Sequence, residues 1–588
     1  MKYEMQKGIP HMKKLFIHLR DYKKEVVLAP LFKGLEASFE LLVPIVMKLI
    51  IDVGIGNKDK QYIMRMCLVL ILLGIVGLVT SITAQHYSAK AAVGFATRIR
   101  QHLFEHIQTL GFSEIDALGT STIITRMTSD INQIQAGLNL VLRLFMRSPF
   151  IVIGSMIMAF TIDAQAAFIF VIAIPVLFII VFGIMIKSIP LYKKVQGRLD
   201  RILNLTRENL AGVRVIRAFH KEEEEIRAFR DGNESLTAMQ LFVGKILAFM
   251  NPVTYLIVNG AILLILWTGG IKVNNGLLTT GAIIALVNYM SQILVELIKL
   301  ANLIITLTKA VACANRVTAV LNITADMKVN EKGLLLDIVD GKPFIEFKNV
   351  SLNYSKAEEE ALTNINLKVY KGETIGIIGG TGSGKSSLVN LIPRFYDVTK
   401  GELIINNRNI TDYNLKELRN KIGIVMQKAV LFKGTIKDNL KWGNEHAAME
   451  EMEEALSISQ SKEFVSQKEK GMDTLIEQGG KNLSGGQRQR LTIARAIVRK
   501  PEILILDDSA SALDYATDAK LRTAIKNMKE RPTVFIVSQR TSSIQYADKI
   551  VVLDNGKLMG TGTHEELLKN CETYKEIYYS QYSGNETA

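Results

Sequence analysis

The 588-residue sequence holds only three cysteines, Cys67, Cys313 and Cys571. They are too few and too scattered for a disulfide framework or a Cys-x-x-Cys metal site, and read as reduced thiols. Proline is scarce at 11 residues, against 42 glycines and 48% apolar residues. That composition excludes collagen-like, disordered and disulfide-built proteins. Charge is missing over long intervals: none lies between Arg65 and Lys90, Lys245 and Lys272, or Lys272 and Glu296. These apolar runs begin too late and are too many for a cleaved signal peptide.

What is present is unevenly shared. The net charge of +14 alone would permit a nucleic-acid binder. Residues 1–340, however, carry 36 Lys and Arg against 25 Asp and Glu, and the remainder 35 against 32. The basic excess thus belongs to the apolar half, and the near-neutral rest argues against nucleic acid.

A bilayer crossing needs roughly 20 apolar residues. Six spans are expected near 25–52, 62–86, 138–161, 164–187, 244–270 and 277–308, preceded by an interfacial helix near 8–22. Lys2, Lys7, Lys13 and Lys14 precede the first span, and ten Lys and Arg from Lys193 to Arg230 follow the fourth. The opposite side has only Lys58, Lys60 and Lys272. Positive residues stay inside, so both termini are expected in the cytoplasm. Residues 87–137 and 188–243 keep helical patterning. A helix over 164–210 would measure about 70 Å against a core of about 30 Å. The spans should therefore project into the cytoplasm and turn near Ser113–Thr120 and Asn209–Ala218.

Charges inside spans face a cavity or pair with one another. Glu36 and Glu40 are spaced i,i+4, as are Arg143 and Arg147; Glu296 and Lys299 are spaced i,i+3. Glu36 and Glu40 are expected to face Arg143 and Arg147, either holding the bundle or lining a polar pathway.

Past residue 340 short β-like runs alternate with helices, the pattern of an α/β domain. Ile375–Ile378 leads into Gly379-Gly380-Thr381-Gly382-Ser383-Gly384-Lys385-Ser386, followed by Ser387. This is G-x-x-x-x-G-K-S in a strand–loop–helix setting, a phosphate-binding loop. Glycines let N–H groups curl around phosphate, Lys385 reaches the outer phosphates and Ser386 can hold Mg²⁺. A second apolar strand, Ile503–Leu506, ends in Asp507, which suits the Mg²⁺ shell of an NTPase.

The run Leu483-Ser484-Gly485-Gly486-Gln487 resembles the signature of the ATP-binding cassette family, in its exporter form. Gln427 resembles the family's Q-loop glutamine, and Ser511-Ala512-Leu513-Asp514 its D-loop. Tyr354 resembles the aromatic that stacks on adenine, and Glu208–Ile216 a coupling segment. The resemblance covers nearly the whole chain. It implies six membrane helices with long cytoplasmic extensions, fused to an α/β P-loop NTPase domain. The expected limits are 1–327 for the membrane part, 328–342 for a linker, 343–582 for the nucleotide domain and 583–588 for a tail. It also implies ATP with Mg²⁺ at Ser386, Gln427 and Asp507, and a second half-transporter whose ATP meets this chain's signature.

Two positions depart from the family pattern. Asp508 stands where Glu usually polarises the attacking water, and Gln539 where His usually contacts the γ-phosphate. A carboxylate one methylene shorter misplaces the base, and Gln cannot become cationic. The combination resembles the degenerate subunit of a bacterial heterodimeric multidrug exporter in the cell membrane. Such a chain binds ATP, hydrolyses it poorly, and completes a competent site on a partner with true Glu and His. Other readings are a lipid or peptide exporter, a homodimer, or a membrane-anchored regulatory ATPase.

Overall fold

The computed structural model describes residues 15–324, 327, 342–354 and 359–582. The expected tail, the expected linker apart from Lys342, and residues 8–14 of the expected interfacial helix lie outside the described residues. The chain divides into two compact units. One comprises residues up to Gln108 with Gly119–Ile323, the other Thr109–Leu118 with Thr324 onward.

The first unit is helical. Phe16–Tyr22 forms a tight 3-10 helix. It is followed by α1 (Lys23–Leu49), with wider turns to Ile55, and by the 50-residue α2 (Lys60–Thr109). Helix α3 (Phe112–Leu118) belongs to the second unit. A short helical stretch from Thr120 widens at Arg126–Asp130 and leads into α4 (Ile131–Leu144) and α5 (Arg147–Ile162). Then come α6 (Ala164–Ala218), α7 (Glu222–Ala248), α8 (Met250–Asn274) and α9 (Thr280–Leu321).

Asp163 separates α5 from α6. Its backbone is extended and its carboxylate accepts from Gln165 N at 3.0 Å, a local cap that ends one helix and starts the next. Among the described residues, five helical stretches are long and apolar enough to cross a membrane. Helix α1 is not among them, because Lys33, Glu36, Glu40 and Lys48 interrupt its apolar run. The expected third span is broken by a turn at Phe145–Met146, between α4 and α5. The second expected turn is corrected: Asn209–Ala218 is unbroken helix, and the chain reverses at Phe219–Lys221. Its residues favour helix over turn, with Gly212 the only breaker among them.

Helix α9 is the most enclosed of the membrane helices. Leu286, Tyr289, Met290 and Ile293 are fully buried and pack in one cluster with Leu41, Ile151, Phe170, Leu177 and Ile265. Small residues let helices approach closely, as where Gly137 of α4 lies against Ala310 of α9. By contrast, α2 exposes Leu68, Ile71, Leu72, Ile75, Leu78 and Ile82. A face of that kind is at home in hydrocarbon.

The second unit contains β1 (Ile345–Leu352), β2 (Leu362–Val369), β3 (Thr374–Ile378), β4 (Lys400–Ile405), β5 (Arg408–Asn409), β6 (Ile422–Val425), β7 (Gly434–Thr435), β8 (Leu475–Ile476), β9 (Ile503–Asp507), β10 (Thr533–Val537), β11 (Lys549–Asp554) and β12 (Lys557–Gly562). Six strands form a sheet in the order β12-β11-β3-β10-β9-β6, parallel except at the β12 edge. Alternate residues of β9 and β10 feed two cores. Ile503, Ile505, Phe535 and Val537 enter one, and Leu504, Leu506, Val534 and Ile536 the other. Burial on both faces is why these strands read as unbroken apolar runs. The register pairs Val537 with both Asp507 and Ile377, so three strand ends meet along one edge. Ligands of parallel α/β sheets bind at such carboxyl ends.

Candidate nucleotide site and intramembrane charge cluster

Strand β3 turns through the glycine loop into α10 (Lys385–Leu391). Gly384 holds φ +91°, a left-handed conformation that favours glycine, and a Cβ there would strike Ala361 O and Leu362. The Lys385 ammonium donates to Gly379 O at 2.9 Å and Gly380 O at 2.6 Å. Burial pushes it below the ordinary lysine range.

The Ser386 hydroxyl donates to Asp507 Oδ1 at 3.0 Å. Asp507 is only 5% exposed, and burial raises its pKa, with neighbouring Asp508 adding to the rise. Asp508 is likewise pushed up by burial, and Gln427 Nε2 lies 3.5 Å from its Oδ2. One cleft of about 130 Å³ is lined by Thr381, Lys385, Ser386, Gln427, Asp507, Asp508 and Gln539, among others. Its oxygen donors are a hydroxyl, an amide and an under-compensated carboxylate. That set fits Mg²⁺, which takes few protein ligands and completes its shell with phosphate and water.

The run 483–487 stands at the start of α11 (Gly485–Ile497). Ser484 Oγ accepts from Gln487 N at 3.3 Å, and Gln487 Oε1 accepts from Ser484 N at 3.1 Å. This reciprocal cap orders the turn. Leu483 is buried as its anchor while Ser484 and Gly485 are exposed. Asp514 caps α12 (Tyr515–Lys526), accepting from Thr517 N at 2.9 Å. Ser511 Oγ donates to Asp508 O at 2.8 Å, so the run 511–514 hangs directly from the departed position. Gly486 lies close to Ala512 O.

Three residues at this site escaped the sequence reading. Arg540 reaches the carbonyls of Ser511 and Leu513 at 3.4 and 3.5 Å. Gln581 donates to Gln539 O at 2.7 Å from the C-terminal helix. Tyr396 packs against Tyr354. Only the Arg directly after Gln539 carried any local signal.

The membrane unit gathers a second cluster. Arg147 bonds Glu296 at 2.5 Å and Glu40 at 2.6 Å, with Glu36 at 3.8 Å. Glu296 also accepts from Ser148 and from Lys299, each at 2.8 Å. Lys33 pairs with Glu36 and donates to Ser81 at 3.1 Å. The expected facing of Glu36 and Glu40 toward Arg147 is present. For Arg143 the expectation is corrected: it forms no ion pair among the described residues, and its buried Nε has no hydrogen-bond partner. The regular helix lapses at Phe145–Met146, between Arg143 and Arg147, although both residues keep right-handed helical backbone angles.

Known proteins match both parts of the chain. Residues 26–297 match the ABC transporter transmembrane region, and residues 362–511 match the ABC transporter family. The chain is 35% identical to the uncharacterized ABC transporter ATP-binding protein YfiB of Bacillus subtilis, over 97% of this chain and 99% of that protein. It is 32% identical to the putative multidrug export ATP-binding/permease protein YgaD of the same organism, over 97% and 99%. It is 31% identical to an ATP-dependent lipid A-core flippase of Desulfotalea psychrophila, again over 97% and 99%. A bacterial Atm1-family ABC exporter with ATP bound shares the fold, with TM-score 0.78 at 22% identity, covering 96% of this chain and 99% of that one.

The fold and the matched regions define an ABC exporter half-transporter, a helical membrane domain fused to an ATP-binding domain. The chain belongs to the ABC transporter family.

Proposed function

We propose that this chain is the degenerate-site half of a heterodimeric exporter that moves small amphipathic compounds outward across the cell membrane. Its nucleotide unit and both termini are cytoplasmic. Of the three relatives above, one is named for multidrug export and one for lipid A-core flipping, and both cargo types are amphipathic. Drug-like compounds are the first choice of substrate and lipids the second.

The observation that carries the reading is local. Asp508 and Gln539 line the same cleft as an otherwise intact phosphate loop. In this reading Tyr354 stacks the adenine, the glycine loop and Lys385 hold the phosphates, and Ser386, Gln427 and Asp507 hold Mg²⁺. The ion screens phosphate charge when bound. Asp508 orients water poorly because its carboxylate stops a methylene short. Gln539 offers a hydrogen bond but no positive charge. Ser484 and the N–H groups at the start of α11 present a helix N-terminus to the γ-phosphate held by the partner. Closure of the two nucleotide units around ATP drives the membrane helices outward, and hydrolysis at the partner's loop resets them.

The test is ATP turnover by the purified chain, alone and with its partner. Weak turnover alone and brisk turnover together are expected. Ser484→Arg should cripple the complex although it leaves this chain's own loop untouched. Brisk hydrolysis by the isolated chain sinks the degenerate-site reading.

A further inference from the structure

Helix α3 meets the rest of its unit through aromatic rings and a hydrogen bond from Tyr396. Phe112 packs on Phe395 and Tyr396, with ring centroids 4.5 and 6.3 Å apart. The Tyr396 hydroxyl donates to Asp116 Oδ2 at 2.8 Å. The Tyr396 ring meets the Tyr354 ring at 5.0 Å and 89°. Tyr354 in turn donates to Ser387 Oγ at 2.9 Å, on the helix that leaves the phosphate loop. One ring, Tyr396, therefore touches both the aromatic assigned to the base and the helix α3. Burial and the Asp116 carboxylate hold its hydroxyl above the ordinary phenol range. It stays protonated at neutral pH and can serve Asp116 only as a donor.

We propose that Tyr396 is a positioning residue that couples occupancy of the base site at Tyr354 to the placement of α3. This rests on the nucleotide reading above and adds a sensor to it. A purine stacked on Tyr354 fixes the tilt of that ring. The perpendicular contact passes the tilt to Tyr396, and the hydroxyl then holds Asp116 in one orientation. Phosphates can reach the rings only indirectly, through the Ser387 hydroxyl that holds Tyr354, whereas the base meets Tyr354 itself, so the larger signal belongs to the base. Coupling of this kind is reciprocal: whatever base binding does to α3, fixing α3 does to base affinity by the same factor.

Hydrogen exchange of residues 109–118 tests this, using the full chain in lipid nanodiscs with AMP-PNP and Mg²⁺ or with tripolyphosphate and Mg²⁺. AMP-PNP should slow exchange in this segment at least threefold, and tripolyphosphate should not. Tyr396→Phe, which keeps the ring, should abolish the slowing and weaken AMP-PNP by a matching factor. Asp116→Asn, which keeps an acceptor, should retain most of it. A merely structural bond would loosen the segment in every ligand state and would not distinguish the base from the phosphates. Equal slowing by both ligands, or slowing that survives Tyr396→Phe, overturns the sensor while leaving nucleotide binding in place. Failure of AMP-PNP to compete with a fluorescent nucleotide removes the underlying reading and the sensor together.

Discussion

Around Arg147 three carboxylates converge on one guanidinium, while Lys33 and Lys299 hold two of them from behind. Around Lys385 the ammonium has loop carbonyls as its close partners, and burial pushes the two nearby carboxylates toward their neutral forms. The first cluster closes its own charge balance within the membrane unit. The second is left short of counter-charge until phosphate and a divalent ion arrive. Buried charges that are fully paired hold an architecture in place, and buried charges that are not mark where a ligand belongs.

The contrast breaks most readily at Lys385. Lys385→Ala should lower nucleotide affinity at least a hundredfold with little change in the thermal stability of the ligand-free chain. A fluorescent-nucleotide titration with a parallel melt checks both halves.

Arg147→Ala should do the reverse. It takes the shared partner from three carboxylates, leaving Lys33 on Glu36 and Lys299 on Glu296 but, among the described residues, no such cation on Glu40. It should cost up to about 3–5 kcal/mol of stability, the usual range for breaking a buried pair from one side. Removing Glu40 as well should recover part of that loss, so the double variant melts above the single one. Thermal unfolding in micelles, with nucleotide affinity as the control, separates the two clusters.

A smaller effect is expected at the departed positions. Asp508→Glu with Gln539→His should raise turnover at this chain's own loop about tenfold, provided the partner's signature is competent. Unchanged turnover with a partner of intact signature would mean that the two departures are not what slows the site.

The smallest effect is in pH. The folded-state pKa of Asp507 is raised by burial. Its contribution to stability is therefore present below the ordinary carboxylate range and lost as pH rises through the raised value. Asp507→Asn should stabilise the ligand-free chain more at pH 7 than at pH 5. A gain that is larger at pH 5 would contradict the burial argument.

Much of the nucleotide site could be read directly, because its chemistry sits in short runs. Gly379–Ser386, Leu483–Gln487 and Asp507–Asp508 each carry strand, turn and helix signals within a few residues. In the membrane cluster the pairing of Glu296 with Lys299 follows from local spacing, and the facing of Glu36 and Glu40 toward Arg147 from the need of intramembrane charges to pair. The bond from Arg147 to Glu296 crosses 149 positions, and no helical spacing encodes it. Arg143 differs from the expectation because i,i+4 spacing puts it on the face of Arg147 without fixing which side chains of other helices come within reach. The contact of Tyr396 with Asp116 spans 280 positions and is a product of tertiary folding alone.

Asp508 adopts φ +47°, in the left-handed region. Asp and Asn enter that region far more readily than longer side chains, because a short polar group can hydrogen-bond locally. Asp508 is therefore more than a shortened glutamate, since its backbone has settled into a conformation that suits the shorter residue. A longer side chain here meets more of the strain of about 1–3 kcal/mol that this region costs a non-glycine residue, unless the loop to Ser511 shifts with it. Position 508 thus sets a backbone bias as well as a side-chain length. An isolated Asp508→Glu exchange should gain less turnover than one that also resets the loop.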